Sequence, residues 1–302
     1  MSASVEQLLR LLGSPAAMRA IGPDLSVGEG VSRPGADAGL PPVPTVPRDP
    51  GERSWLVQDG FGMLRDVGGG PTCSALVRAV ENLGHRGLPA SFVYAFDETW
   101  AIGDRTCQRI STLMEREYVL VEDVWAWSIA PGTGRGWPAH RGIAHERLDR
   151  EAPEVINVWV ALTDVTPERA CMHAIPLDDD PSYPHTLEVT TAPLTAVRAL
   201  PATAGDALFW NANVLHWGGR CAARSPGPRV SCSFTLCRAD AASRFPELTL
   251  LAPLATFDLP ARMDAVARMV LLYGDEDRGD VRGVVREWAT LTRALVSRFA
   301  TT

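Results

Sequence analysis

The 302-residue chain has no run of about 18 apolar residues, so no transmembrane helix is expected. It also lacks a basic surplus. A formal charge of −7 argues against a general nucleic-acid binder, so neither nucleic acid nor a membrane is an expected partner. The opening residues (MSASVEQLLRLLGS) show no basic segment followed by an apolar core, and no signal peptide is expected. Six cysteines (Cys73, Cys107, Cys171, Cys221, Cys232, Cys237) lie far apart and include no C-x2-C pair. That spacing argues against a structural zinc site and suggests no disulfide framework; the expectation is reduced thiols in a cytoplasmic protein. What is present is a globular composition, 46% hydrophobic and 22% charged, in a chain long enough to bury a large core.

Apolar spacing predicts a short helix over residues 4–13, closed by Gly13. Residues 22–51, including PPVPTVPRDP, read as an extended arm because no periodic segment survives there. A helix is predicted over Thr72–Leu83 and an aromatic strand over Ser91–Phe96. The middle of the chain then changes character. Val119–Ile129, Val155–Leu162, Ala170–Ile175, Thr186–Thr191, Thr195–Leu200, Asp206–Trp210 and Arg229–Arg238 are β-branched or aromatic-rich, with turn residues between them. Helical spacing returns over Pro260–Tyr273 and Val281–Phe299. The fold class expected is mainly β with flanking α-helices, a sandwich or barrel in which a jelly roll fits the strand count. It is read as one domain over 1–302, with N-terminal helices and arm (1–118), the core (119–240) and C-terminal helices (241–302).

Two histidines stand in suggestive places, His140 in GRGWPAHRG and His216 in GDALFWNANVLHWGG, each shortly after a predicted strand. Imidazole is a good iron ligand, although for either residue taken alone a hydrogen-bonded loop or core histidine is the stronger reading. Arg229 and Ser231 share one face of a predicted strand, opposite Val230, Cys232, Phe234 and Leu236. A guanidinium beside a hydroxyl on an inward face makes a clamp for a carboxylate, and a buried Arg calls for such a partner. Asn157 and Trp159 likewise share a face, from which Asn157 could bond a cosubstrate and Trp159 could wall its pocket. Trp127, Trp137, Trp210 and Trp217 crowd the same region, and His173 alternates on a strand and could face it. His145 is read as a neighbour of the site or a surface residue, His85 and His185 as surface residues, and Arg141 as a solvent or salt-bridge residue. The run Asp178–Asp180 reads as a solvated loop, and Gly132, Gly134 and Gly136 lead into no helix that would make a phosphate site.

The order His, His, then Arg thirteen residues later resembles the phytanoyl-CoA dioxygenase-like family of Fe(II)/2-oxoglutarate enzymes. The stretches that carry the resemblance are GRGWPAHRG, VINVWVALTDVTPERACMHAIP, AGDALFWNANVLHWGGR and PRVSCSFTLCR, from about Gly134 to Arg238. It implies a double-stranded β-helix, a cupin-like jelly-roll variant. It further implies His140 and His216 as iron ligands, Arg229 with Ser231 as the anchor of 2-oxoglutarate, and dioxygen as cosubstrate.

One departure matters. The family motif is His-x-Asp, whereas this chain has His140–Arg141–Gly142, with no side chain where the metal-binding carboxylate belongs. The resemblance then extends to radical halogenases, in which Gly or Ala stands at that position and a halide such as chloride takes the carboxylate's place on iron. The glycine alone does not decide what fills the position. Glu146 or Asp149 could fold back onto the metal, or water could fill the gap in a hydroxylase. An aspartate could have been replaced deliberately, or the protein could be a non-catalytic binding relative. The expected substrate is a small aliphatic or amino-acid-like metabolite of a biosynthetic pathway, admitted by residues 22–70 and 176–195.

Overall fold

The computed structural model describes residues 13–28, 56–132, 136–142, 149–183, 192–246, 248–251 and 257–274. The expected segments at 4–12, Thr186–Thr191 and Val281–Phe299 lie outside these residues, as do most of the arm and residues His145, Glu146 and His185.

In chain order the described elements are α1 (Pro15–Ile21), β1 (Phe61–Leu64), α2 (Gly70–His85), α3 (Asp97–Met114), β2 (Tyr118–Ile129), β3 (Val155–Ala161) and β4 (Met172–Ala174). They continue with β5 (Arg198–Leu200), β6 (Ala207–Asn211), β7 (His216–Gly218), β8 (Arg229–Arg238) and α4 (Leu259–Gly274). A five-stranded antiparallel sheet runs β1-β6-β3-β8-β2, and a three-stranded one runs β5-β4-β7. The architecture is a jelly-roll double-stranded β-helix with helices on its outer face.

Period-two alternation divides the large sheet into two environments. Ile156, Val158 and Val160 of β3, with Val230, Cys232, Phe234 and Leu236 of β8, join one cluster with the buried faces of α2 and α3. The opposite faces carry Trp159 and Ala161, which pack with Leu208 and Trp210 of β6 and Met172 and Ala174 of the small sheet. Arg229 and Ser231 stand on this second face and are almost fully buried. A one-residue register slip would drive the guanidinium into the aliphatic core, so the pattern fixes both the sheet and the site.

Some sequence expectations need correction. Ser91–Phe96 is no strand: Ala90–Ala95 form a 3-10 helix after Pro89, with Phe92 N–H donating to Pro89 O and Phe96 N–H to Val93 O. Its apolar run is buried on every side, a pattern that does not separate strand from buried helix. The Tyr94 hydroxyl reaches Ser233 O at 2.5 Å, tying this turn to β8. Helix α3 adds to the elements expected from sequence, although Asp97 and Glu98 in its first turn suit the positive end of a helix dipole. The strands expected at Ala170–Ile175 and Thr195–Leu200 shorten to β4 and β5. Ala170 adopts φ +51°, and Leu194–Ala196 forms a 3-10 turn. All six cysteines are buried and unbridged, and burial pushes Cys73 and Cys107 up to about 12, so they stay protonated.

Candidate active site

His216 opens β7, and His140 lies opposite it in a local antiparallel bridge. His140 N–H donates to His216 O at 3.0 Å and His216 N–H to His140 O at 3.1 Å. Residues directly opposite in such a bridge project to one side of the ladder, and the two imidazole centroids are 4.3 Å apart. Each Nδ1 meets a carbonyl two residues back: His140 with Pro138 O at 2.8 Å, His216 with Val214 O at 2.9 Å. A carbonyl only accepts, so each Nδ1 carries a proton, and in the neutral ring the Nε2 is the nitrogen with a lone pair. Burial, and then the neighbouring His140 ring, holds the His216 pKa well below the usual imidazole range. Two imidazoles that project from facing backbone positions can, in their neutral form, hold a transition metal.

The loop bearing His140 is fixed from both sides. The Arg141 side chain turns inward to a buried ion pair with Asp180 at 2.7 Å and donates to Asn213 O at 2.6 Å. Arg141 is thus a salt-bridge residue and not a solvent-facing one. The acidic run is solvated only at Asp178 and Asp179, since Asp180 is buried. On the other side Gly136 lies flat against β7, where a Cβ would stand 2.5 Å from Gly218 Cα.

At Gly142 an ideal Cβ would stand 2.4 Å from Asn157 Nδ2, so the Asn157 amide occupies the volume into which a side chain would project. Asp149 is engaged elsewhere: its carboxylate accepts from Arg238 at 2.9 Å and from the Ala152 N–H at 2.9 Å. Among the described residues no three His, Cys, Asp or Glu side chains converge as a metal-ligand set.

A cavity opens beside the histidines. His140, His216, Arg229, Asn157 and Trp159 line it, with indole walls from Trp125, Trp127, Trp137 and Trp210. Arg229 donates to the Ser231 hydroxyl at 2.5 Å, and Trp127 and Trp159 present their rings 5.7 and 5.2 Å from its guanidinium carbon. Among the described residues no carboxylate pairs with it, and its buried Nε has no hydrogen-bond partner. Burial lowers its pKa to about 9. A desolvated cation with an open donor edge is a socket for an anion.

Two expected members of the site are elsewhere. His173 stacks on Trp217 at 5.6 Å, because the alternation of β4 sends Met172 to the cavity and His173 to the opposite face. Trp217 leaves the site for the same reason. Sequence reading missed Trp125, and it missed Tyr273 of α4, which packs on Trp137 at 4.8 Å and closes one end of the cavity. The alternation of Trp125 with Trp127 on β2 carried a signal for the first. Nothing local carried one for Tyr273.

No curated protein matches the chain. Among solved structures it is similar to EvdMO1, at a TM-score of 0.50 and 14% identity, covering 64% of this chain and 50% of that one. The non-heme alpha ketoglutarate-dependent epimerase SnoN from nogalamycin biosynthesis gives 0.47 and 18%, with coverage of 63% and 83%. HygX from Streptomyces hygroscopicus, solved with nickel and 2-oxoglutarate bound, gives 0.47 and 16%, with coverage of 63% and 86%. The family model for phytanoyl-CoA dioxygenase matches residues 101–231. That matched stretch, similar to the phytanoyl-CoA dioxygenase family, holds both histidines, Gly142, Asn157 and Arg229.

Proposed function

We propose that the protein is an Fe(II)/2-oxoglutarate-dependent oxidoreductase that functionalises an aliphatic C–H bond of a small metabolite, with halogenation as the outcome. The observation that carries the enzyme reading is Arg229, buried without an anionic partner among the described residues, in the same cavity as the paired imidazoles. These residues fit the metal and the cosubstrate. His140 and His216 would hold iron through Nε2, and Arg229 with Ser231 would take the distal carboxylate of 2-oxoglutarate. When bound, iron with 2-oxoglutarate and dioxygen supplies the oxidant that removes a hydrogen atom from the substrate.

The chain's own groups do the rest. Trp127 and Trp159 hold the guanidinium plane, which fixes the direction from which a dicarboxylate enters. The indole walls exclude water that would otherwise compete for a reactive centre. The hydrogen bonds from each Nδ1 keep the imidazoles oriented without spending their Nε2 lone pairs.

Halogenation is favoured by Gly142, which offers no carboxylate, and by Asp149, whose carboxylate is committed to Arg238. In the balanced reaction the substrate C–H hydrogen is replaced by a halide atom. Chloride, a proton, 2-oxoglutarate and dioxygen are consumed, and succinate, carbon dioxide and water form. The second reading is hydroxylation with water in the open position, favoured by the likeness of residues 101–231 to the dioxygenase family. Mass spectrometry of products from a small-metabolite panel, with chloride or bromide present, separates the two. A halogen isotope pattern supports the first, and exclusively hydroxylated product at high halide refutes it. No succinate with any substrate would remove the enzyme reading itself.

A further inference from the structure

We infer that Asn157 is the residue that manages the coordination position Gly142 leaves open, by donating its amide N–H to the anion that occupies it. The inference rests on the reading of His140 and His216 as metal ligands and goes beyond it to a residue on a different element. Three observations carry it. The Asn157 Nδ2 lies 2.4 Å from where a Cβ at position 142 would stand, so its amide stands at the root of the missing side chain. Asn157 sits at the centre of β3, paired to Thr235 on one side and Trp210 on the other, so its side chain projects from a rigid platform. Its side chain lines the same cavity as His140 and His216.

The chemistry follows from the sign of the charge. A carboxylate in this place would bring its own negative charge to the metal, and an amide cannot. An N–H donor is instead complementary to an anion that arrives from solution, and a hydrogen bond to a charged acceptor is stronger than one between neutral groups. Gly142 and Asn157 thus act as a pair. The glycine removes the ligand, and the asparagine supplies a donor where that ligand would have stood. A metal-binding aspartate at 142 would collide with Asn157 in its present rotamer.

Asn157 is therefore a positioning residue for the exogenous anion, and the probe is the halide itself. The anaerobic complex with Fe(II) and 2-oxoglutarate is titrated with sodium bromide at constant ionic strength, and its visible charge-transfer band is followed. Asn157→Ala should weaken halide binding about tenfold or more. Asn157→Asp keeps the volume and delivers a carboxylate to the open position. It should bind Fe(II) about tenfold more tightly or better and should no longer respond to bromide. A wild-type band that responds to bromide, with both variants titrating as the wild type does, overturns the role of Asn157 and leaves the metal site standing. A wild-type band that ignores bromide also overturns the anion role. No band in the wild type removes the metal reading and this inference together.

Discussion

Replacing Arg229 by methionine should have opposite effects on stability and on cosubstrate binding. A guanidinium whose pKa falls from its ordinary value above 12 to about 9 by burial carries a folded-state penalty of about 5 kcal/mol, at about 1.4 kcal/mol per pH unit. The ring faces of Trp127 and Trp159 offset about 1 kcal/mol each, which leaves about 3 kcal/mol unrelieved in the ligand-free protein. Methionine has similar length and no charge, so Arg229→Met should stabilise the apoprotein by up to about 3 kcal/mol. With an unfolding entropy of about 2.1 cal/mol/K per residue, that is a Tm rise of up to about 5 °C for 302 residues. The same change removes a buried charge-assisted contact to 2-oxoglutarate and should cost about 3 kcal/mol of binding, more than 100-fold in Kd. Thermal unfolding with and without 2-oxoglutarate reads both effects, with Mn(II) as a redox-quiet metal. The wild type should gain Tm on adding 2-oxoglutarate, and the variant should start higher and gain almost nothing. A variant that melts lower than the wild type without ligand, or keeps the full ligand shift, would refute the reasoning.

Two further changes probe how the His140 loop is held. Asp180→Ala leaves Arg141 as an uncompensated buried cation and should cost about 3–5 kcal/mol by denaturant unfolding, with weaker metal binding because His140 is adjacent. A loss below about 1 kcal/mol would show that the pair is not a support. Gly136→Ala places a methyl 2.5 Å from Gly218 Cα, backbone against backbone, and should cost about 1–3 kcal/mol while displacing β7 and His216. Unchanged stability together with unchanged metal affinity would contradict that close contact.

The parts of this molecule that were legible in the sequence are those governed by short-period patterns. Strand β8 has the boundaries its alternation predicts, and the same alternation places Arg229 and Ser231 opposite Val230 and Phe234. Asn157 and Trp159 are legible in the same way. What was not legible depends on partners distant in sequence. Ala90–Ala95 has strand-like composition but packs among α2, α3, α4 and β2, all distant from it in sequence or fixed only by the fold. His173 was placed on a strand correctly and on its face wrongly, because the sequence alone does not say which face of β4 looks inward. The burial of Asp180 follows from Arg141, 39 residues earlier, and could not be read from three consecutive acids. The contact between Gly142 and Asn157 likewise needed the fold, since only the sheet brings β3 under the His140 loop.

The most direct test of the central claim is the anaerobic visible spectrum of the protein with Fe(II) and 2-oxoglutarate. A weak charge-transfer band is expected in the wild type. His140→Ala and His216→Ala should each abolish it, and Arg229→Met should shift its appearance to more than 100-fold higher 2-oxoglutarate. A wild-type protein that gives no band, or a band that survives loss of either histidine, would contradict it.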